Sequence, residues 1–161
     1  MNRKLAIAVV SVAAMWSVSL LPAYGNDRTT LPGNHPLEAE KLAVTGNADP
    51  NLQLTMQVRF ALRNRAKLEK LLEDQQNPSS PRYRKWLKTG EFAERFGARP
   101  ADVAAVTAWL RGEEFTIVAA NRTFVEFKGS AAQATHTFAT NIMNFGAGGV
   151  YANVNDPTIP S

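Results

Sequence analysis

From Leu52 to Phe60 the chain alternates. Leu52, Leu54, Met56, Val58 and Phe60 are interleaved with Gln53, Thr55, Gln57 and Arg59. A period of two predicts a half-buried strand. Beyond Phe60 the period lengthens. In RNRAKLEKLLEDQQ, Ala66, Leu68, Leu71 and Leu72 fall on one side of a helix, with Glu69 and Lys70 towards solvent. Asn77 ends it, because the residue before a proline avoids helical angles. Thr89 is the expected cap of a second helix over GEFAERF. Glu91 lies in its first turn, where the helix dipole favours a carboxylate, and Gly97 stops it. Pro100 suits the first position of a third helix. Val103, Val106, Trp109 and Leu110 then recur at helical spacing as far as Gly112.

EFTIVAANRTFVEFKG predicts a hairpin. Phe115, Ile117 and Ala119 alternate on the outgoing arm and Val125 and Phe127 on the return, with Asn121 and Arg122 near the turn. Ser130 and Gln133 form the S-x-x-Q pattern of a capping box ahead of a helix over AAQATHTFAT. A last strand or ragged hairpin follows around Ile142 and Phe145, interrupted by glycines. The predicted order is strand, helix with extra helical turns, strand, strand, helix, strand. This is the ferredoxin-like split βαβ arrangement of an α+β domain, an antiparallel sheet with helices on one face and the other face open. The domain is expected over residues 51–155. Residues 26–50, rich in proline and asparagine and without periodicity, read as an extended lead-in with loose local order. Residues 156–161 read as an extended tail.

The 161 residues are enough for one domain, and 45% are hydrophobic against 20% charged, an ordinary globular balance. The absence of cysteine excludes disulfides and leaves the redox compartment open. The first 25 residues decide more. Arg3 and Lys4 precede an apolar run from Leu5 to Leu21, and Ala23 and Gly25 complete an A-x-A-like site. This predicts a signal peptide over residues 1–25, cut after Gly25, and a secreted protein, extracellular or periplasmic, with no membrane association after processing. The competing reading, a retained anchor, asks a run interrupted by Ser11 and Ser17 to span a bilayer at its lower length limit. Removing two cations and no anions lowers the net charge from +4 to +2. That, with no basic stripe among stacking aromatics, argues against nucleic acid as a partner.

Self-contained catalysis has no candidate residues. A nucleophile needs a base and an orienting group. The two histidines, His35 and His136, fall in a predicted coil and on a helix, where a lone histidine is ordinarily structural. No ligand spacing for a metal is present. The glycines of FGAGGV lack the Walker lysine and read as a turn. Glu113 and Glu114 are adjacent and point apart. Asn121-Arg122-Thr123 is a glycosylation sequon by pattern, with meaning only in a eukaryotic secretory pathway.

The segment NPSSPRYRKWL, residues 77–87, is unlike a plain connector. Tyr83 and Trp86 have apolar bodies with polar tips, suited to interfaces. Arg82, Arg84 and Lys85 are able to pair with carboxylates of an acidic partner. The alternative is internal, with Tyr83 and Trp86 clamping the loop onto the domain's own helices.

From this segment onward the chain resembles a known family. Gln76, Pro78, Ser79, Ser80, Pro81, Tyr83, Lys85, Trp86, Leu87, Glu91, Phe92, Phe96 and Gly97 fall on the pattern Q-x-P-S-S-P-x-Y-x-K-W-L followed by E-F-x-x-x-F-G. It is similar to the activation domain of the sedolisin, or serine-carboxyl, peptidases, the pro-kumamolisin group. The likeness continues through Asp102, Val106, Trp109 and Leu110, through FKGSAAQATHTFAT, and to YANVNDPTIP, covering roughly residues 31–160. Lys88-Thr89 stands where the family often has Thr-Pro, and Ser130 where it often has Thr.

The resemblance implies a propeptide with a ferredoxin-like fold that assists folding of a peptidase domain, blocks its cleft and is removed by cleavage at acid pH. The implied partner is a sedolisin-type catalytic domain, in cis or in trans. The family's serine, in G-T-S-x-x-x-P, its Glu and Asp partners and its calcium site lie in the domain that follows, so no catalytic residue and no cofactor is expected in this chain. Residues 156–161 correspond to the start of the linker to that domain, which is absent here. The expected partner-binding residues are Arg82, Tyr83, Lys85 and Trp86. Asp156, Pro157, Ile159 and Pro160 are the expected cleft-occupying stretch, since proline fixes an extended backbone and makes a poor cleavage geometry. Glu126 and Asp156 are the candidate carboxylates for acid-driven release. The alternatives are a truncated precursor of a serine-type endopeptidase, which an in-frame G-T-S-x-x-x-P downstream of Ser161 would mark, and an unrelated secreted binding module, which binds no sedolisin.

Overall fold

The computed structural model describes residues 27–37, 39–146 and 149–161; the expected signal peptide and its cut after Gly25 lie outside them. The alternating segment forms β3 (Gln53–Arg59), after two short strands, β1 (Arg28–Thr30) and β2 (Val44–Asn47). Leu54 is buried while Gln53, Thr55, Gln57 and Arg59 are exposed, as a period of two requires. The hairpin is β4 (Thr116–Ala120) and β5 (Phe124–Ser130). β5 is central, antiparallel to β3 on one side and β4 on the other. At its turn the Asn121 carboxamide oxygen accepts from Thr123 N, Thr123 Oγ1 and Phe124 N. The local work of Asn121 is therefore to close the hairpin.

Four helices follow from their signals. α1 spans Arg65–Gln76, α2 Thr89–Phe96, α3 Pro100–Gly112 and α4 Ala131–Phe138. Thr89 is the first residue of α2 and not its cap. Lys88 takes that place, its backbone N–H donating to Glu91 Oε2 at 3.0 Å. The box predicted for α4 is complete: Ser130 N donates to Gln133 Oε1 at 2.8 Å, and Gln133 N donates to Ser130 Oγ at 3.2 Å. On α1, Leu71 is buried but Leu72 is exposed, and the inward position a turn later belongs to Gln75.

α3 and α4 pack on one face of the β3–β5–β4 sheet. Leu54, Leu110, Phe115, Val125, Phe127, Ala131, Ala134 and Phe138 form the core between them. Each large apolar side chain fully buried there contributes about 1.5–3 kcal/mol. Phe115 meets Phe127 edge-on at 5.1 Å between ring centroids, and Trp109 meets Phe138 edge-on at 5.7 Å. Among the described residues no helix packs on the opposite face. It presents Thr55, Gln57, Arg59, Lys128, Thr116 and Val118 to solvent.

The fold is α+β, with antiparallel sheets and helices on one face of the central one. The fourth strand of the predicted arrangement, β6 (Ile142–Phe145), lies beside β2 and not beside β3. The first strand is broken. Asp49 makes a tight turn, accepting from Asn51 N on its carboxylate and from Leu52 N on its carbonyl. Pro50 has no N–H to give. The Pro50 and Leu52 carbonyls accept from Ala132 N and Ala131 N of α4, which leaves the ladder with β6 to β2. The break leaves β6 and β2 in a sheet separate from β3, β5 and β4. β6 carries β7 (Val150–Asn153) on its far edge. The turn between them uses Gly146 and Gly149 at φ 59° and 67°, angles that glycine adopts without strain.

The lead-in is more ordered than its composition indicates. β2 pairs with β6, and β1 pairs with β8 (Thr158–Pro160) as a separate two-stranded ribbon.

Candidate functional site

The loop after α1 is built from consecutive turns. Ser79 N donates to Asn77 Oδ1, Ser80 N to Asn77 O, Arg82 N to Ser80 Oγ, Tyr83 N to Ser80 O and Lys85 N to Arg82 O. Arg84 sits at φ 56°, the residue that turns the chain back towards α1. There Arg84 N donates to the Gln75 carbonyl at 3.0 Å, and the Gln75 carboxamide donates to the Lys85 carbonyl. The buried Gln75 is thus the anchor that fixes the loop. It went unnoticed in the sequence because a glutamine near a helix end reads as solvated. Its one signal is the spacing of four from Leu71.

The loop's expected contact residues come to one surface. Arg82, Lys85 and Trp86 are exposed and Tyr83 is half-buried. Trp86 is 67% exposed, the most exposed of the large hydrophobic residues described, so the internal-clamp alternative does not apply to it. Tyr83 is covered by its neighbour, the Arg84 guanidinium lying 5.0 Å from the ring centroid. Beside Trp86 runs an open groove of about 330 Å³ lined by Leu71, Leu87, Arg82, Lys85, Arg95, Glu91 and Glu94.

α2 forms the far wall of this groove, and its C-terminus is held by residues from outside the helix. Arg63 donates from its guanidinium to the Gly97 and Glu94 carbonyls, Asn64 Nδ2 to Arg95 O, and Arg122 to the Ala98 and Glu94 carbonyls. Two cations at a helix C-terminus satisfy carbonyls with no partner inside the helix and oppose its dipole. At Gly97 a Cβ would stand 2.6 Å from Ala93 O and 2.7 Å from Arg122 O, so α2 and the hairpin tip meet backbone to backbone.

The tail residues lie elsewhere. Ile159 is part-buried against the core, and Pro157 and Pro160 flank it in or beside β8. Asp156 accepts from Gly33 N at 3.0 Å and Asn34 N at 2.8 Å, and pairs with His35 Nδ1 at 2.7 Å. Its hydrogen bond to His35, aided by the two backbone N–H groups, holds its carboxyl below the ordinary aspartate range. Glu126, the other candidate carboxylate, accepts from Gln57 Nε2 at 2.7 Å on the open sheet face. The structure therefore brings Arg82, Lys85 and Trp86 together and leaves the tail on the β1 side of the molecule. Among the described residues no three His, Asp or Glu side chains cluster as metal ligands, and no helix is long and apolar enough to cross a membrane.

A match to the family described as "Pro-kumamolisin, activation domain" runs over residues 40–161. The chain belongs to the pro-kumamolisin activation domain family. These domains are propeptides of sedolisin-type serine peptidases. Two relatives agree. Xanthomonalisin of Xanthomonas sp. (strain T-22) is 34% identical over 130 residues, 80% of this chain and 14% of that protein. Sedolisin of Pseudomonas sp. (strain 101) is 31% identical over 107 residues, 64% of this chain and 18% of that protein. The chain thus spans less than a fifth of the length of these relatives.

Proposed function

We propose that this chain is an inhibitor and folding assistant of a secreted sedolisin-type peptidase, acting by shape on a catalytic domain in cis or in trans and doing no bond-breaking itself. The observation that carries the reading is the family match joined to an exposed docking surface: an open polar sheet face, and a Trp86 left in water by a loop that Gln75 holds in place. A protein that needed Trp86 only for its own stability would bury it. Arg82 and Lys85 beside it favour an acidic contact on the peptidase. In this reading the open face and the Trp86 knuckle dock, and Asp156, Pro157, Ile159 and Pro160 supply the stretch that enters the cleft. Acid release follows when interface carboxylates lose their charge. The role requires no cofactor in this chain, and secretion is part of the reading.

The test is to titrate purified chain into a mature sedolisin-type peptidase at neutral and at acid pH. Inhibition at neutral pH that weakens on acidification is expected. A folded chain that fails to inhibit at neutral pH would refute docking. The Trp86→Ala variant should keep its melting temperature, since an exposed substitution shifts stability by less than about 0.5 kcal/mol. It should weaken inhibition roughly tenfold or more, the behaviour of an interface anchor.

A further inference from the structure

β7 is the outer strand of its sheet, with β6 on one side and, among the described residues, no strand on the other. Its bonding direction follows from β6. Ala48 N donates to Ile142 O and Gly146 N to Ala43 O, so Ile142, Asn144 and Gly146 bond towards β2. Asn141, Met143 and Phe145 bond towards β7, and Val154 N donates to Asn141 O just beyond the strand. Backbone groups of a strand alternate in direction, so Val150, Ala152 and Val154 turn theirs inwards. Tyr151 and Asn153 turn theirs to the outer edge, where among the described residues neither takes a backbone partner. Side chains alternate as well. Val150 and Val154 share one face and are 49% and 40% exposed. Val154 borders a groove of about 300 Å³ whose other walls include Ala39, Leu42, Val44 and Phe145.

An exposed strand edge is a template for pairing with another chain, and the other edges carry guards against it. β4 has a bulge between Ile117 and Ala119, and β2 has one between Val44 and Gly46. β3 carries the exposed Arg59. The β1–β8 ribbon is short and has Arg28 bonded across to Thr158, with Pro157 and Pro160 in or beside β8. Its ends are closed by Leu31 N donating to Pro157 O at 2.9 Å and Ser161 N to Asp27 O at 3.1 Å. β7 has no charge, no proline and no bulge. From Asn141 to Asn155 there is no Asp, Glu, Lys or Arg, and there is none from Leu42 to Ala48. The lack of charge selects the occupant. A charged strand would find no counter-ion along this edge, whereas an identical strand meets no like charge across it.

We propose that β7 is a dimerisation edge, at which two copies of this chain pair antiparallel about a two-fold axis through Ala152 and join their β2–β6–β7 sheets into one. In this register Tyr151 lies opposite Asn153 of the second copy, and the reverse, so the outward backbone groups of both residues find partners. Val150 lies opposite Val154 of the second copy at the side of the groove, and these half-exposed valines cover each other. Asp156 is the first charge after β7, and the two-fold sends it to opposite ends of the joint in the two copies. The edge shares no residue with the Trp86 groove or with the open face of the β3–β5–β4 sheet. The dimer therefore goes beyond the inhibitory reading and stands without it.

Analytical ultracentrifugation of the purified chain tests this without any peptidase. The mass should rise from monomer to dimer between about 1 and 100 μM, the range of a small interface. Val150→Lys combined with Val154→Lys sets like charges opposite each other across the two-fold and should weaken association roughly tenfold or more, with the melting temperature kept. Val150→Lys combined with Val154→Glu sets opposite charges there and should restore it. The chain has no cysteine, so Ala152→Cys provides a single thiol. Residues facing each other at such a position lie about 4.5 Å apart between Cα atoms, within reach of a disulfide. Oxidised glutathione should therefore link Ala152→Cys chains in pairs much faster than Val118→Cys chains, whose thiol sits on the bulged β4. A chain that stays monomeric at about 100 μM, a dimer unaffected by the two lysines, or equal cross-linking at both positions would overturn the proposal. So would a monomer whose Tyr151 and Asn153 amides gain exchange protection only when a sedolisin-type peptidase is added, because that gives the edge to the peptidase.

Discussion

Gly129 has no room for a side chain. A Cβ built on it would lie 2.3 Å and 2.5 Å from two atoms of the Phe115 ring. That ring is buried and wedged against Phe127 and Phe138, so it has nowhere to retreat. Gly129→Ala should destabilise the domain by about 1–3 kcal/mol, read as a drop in chemical-denaturation midpoint with an unchanged slope. The alternation around Phe115, Val125 and Phe127 announced these core residues in advance. The demand on Gly129 was invisible, because a glycine in a strand pattern looks the same whether it faces a ring or water. The reverse holds at Trp86. Its residue type was legible and its exposure was not, since that depends on Gln75 and on the left-handed backbone of Arg84.

Elements with local causes were legible; elements with distant ones were not. The S-x-x-Q box of α4 can be read from four consecutive residues and is present with both hydrogen bonds. Ser130→Ala removes the acceptor for Gln133 N. It should lower stability by about 1 kcal/mol in thermal or denaturant unfolding, and Ser130→Thr should restore most of it. The end of α2 shows the other case. Arg63 and Arg122 serve it from 31 and 28 residues away in their contacts with Glu94, and no spacing rule connects them. The break between β2 and β3 has the same origin. Asp49-Pro50 marks a turn in the sequence, but only the amides of α4 explain why β6 pairs before that turn and not after it.

At the scale of the whole molecule, the α+β class and the β4–β5 hairpin followed from periodicity. The pairing of β1 with β8 did not. Strands of three residues carry no period to detect, and the lead-in's prolines and asparagines read as loose chain. The domain consequently has two parts of different reach: a core drawn from the span Leu54 to Phe138, and a ribbon that pairs strands on either side of that span. Arg28 and Thr158 are separated by 130 residues.

Such a separation has a kinetic consequence. Closing so long a loop costs entropy that is offset only once the intervening chain is compact. On the ribosome β1 emerges before β2 to β7 and must wait, without its β8 partner, until those strands have been made. In pulse-labelled refolding, Leu31 and Ser161 should gain protection after the β3–β5 ladder, and simultaneous protection would contradict this order. Among the described strands, the earliest made is thus one of the last to be seated.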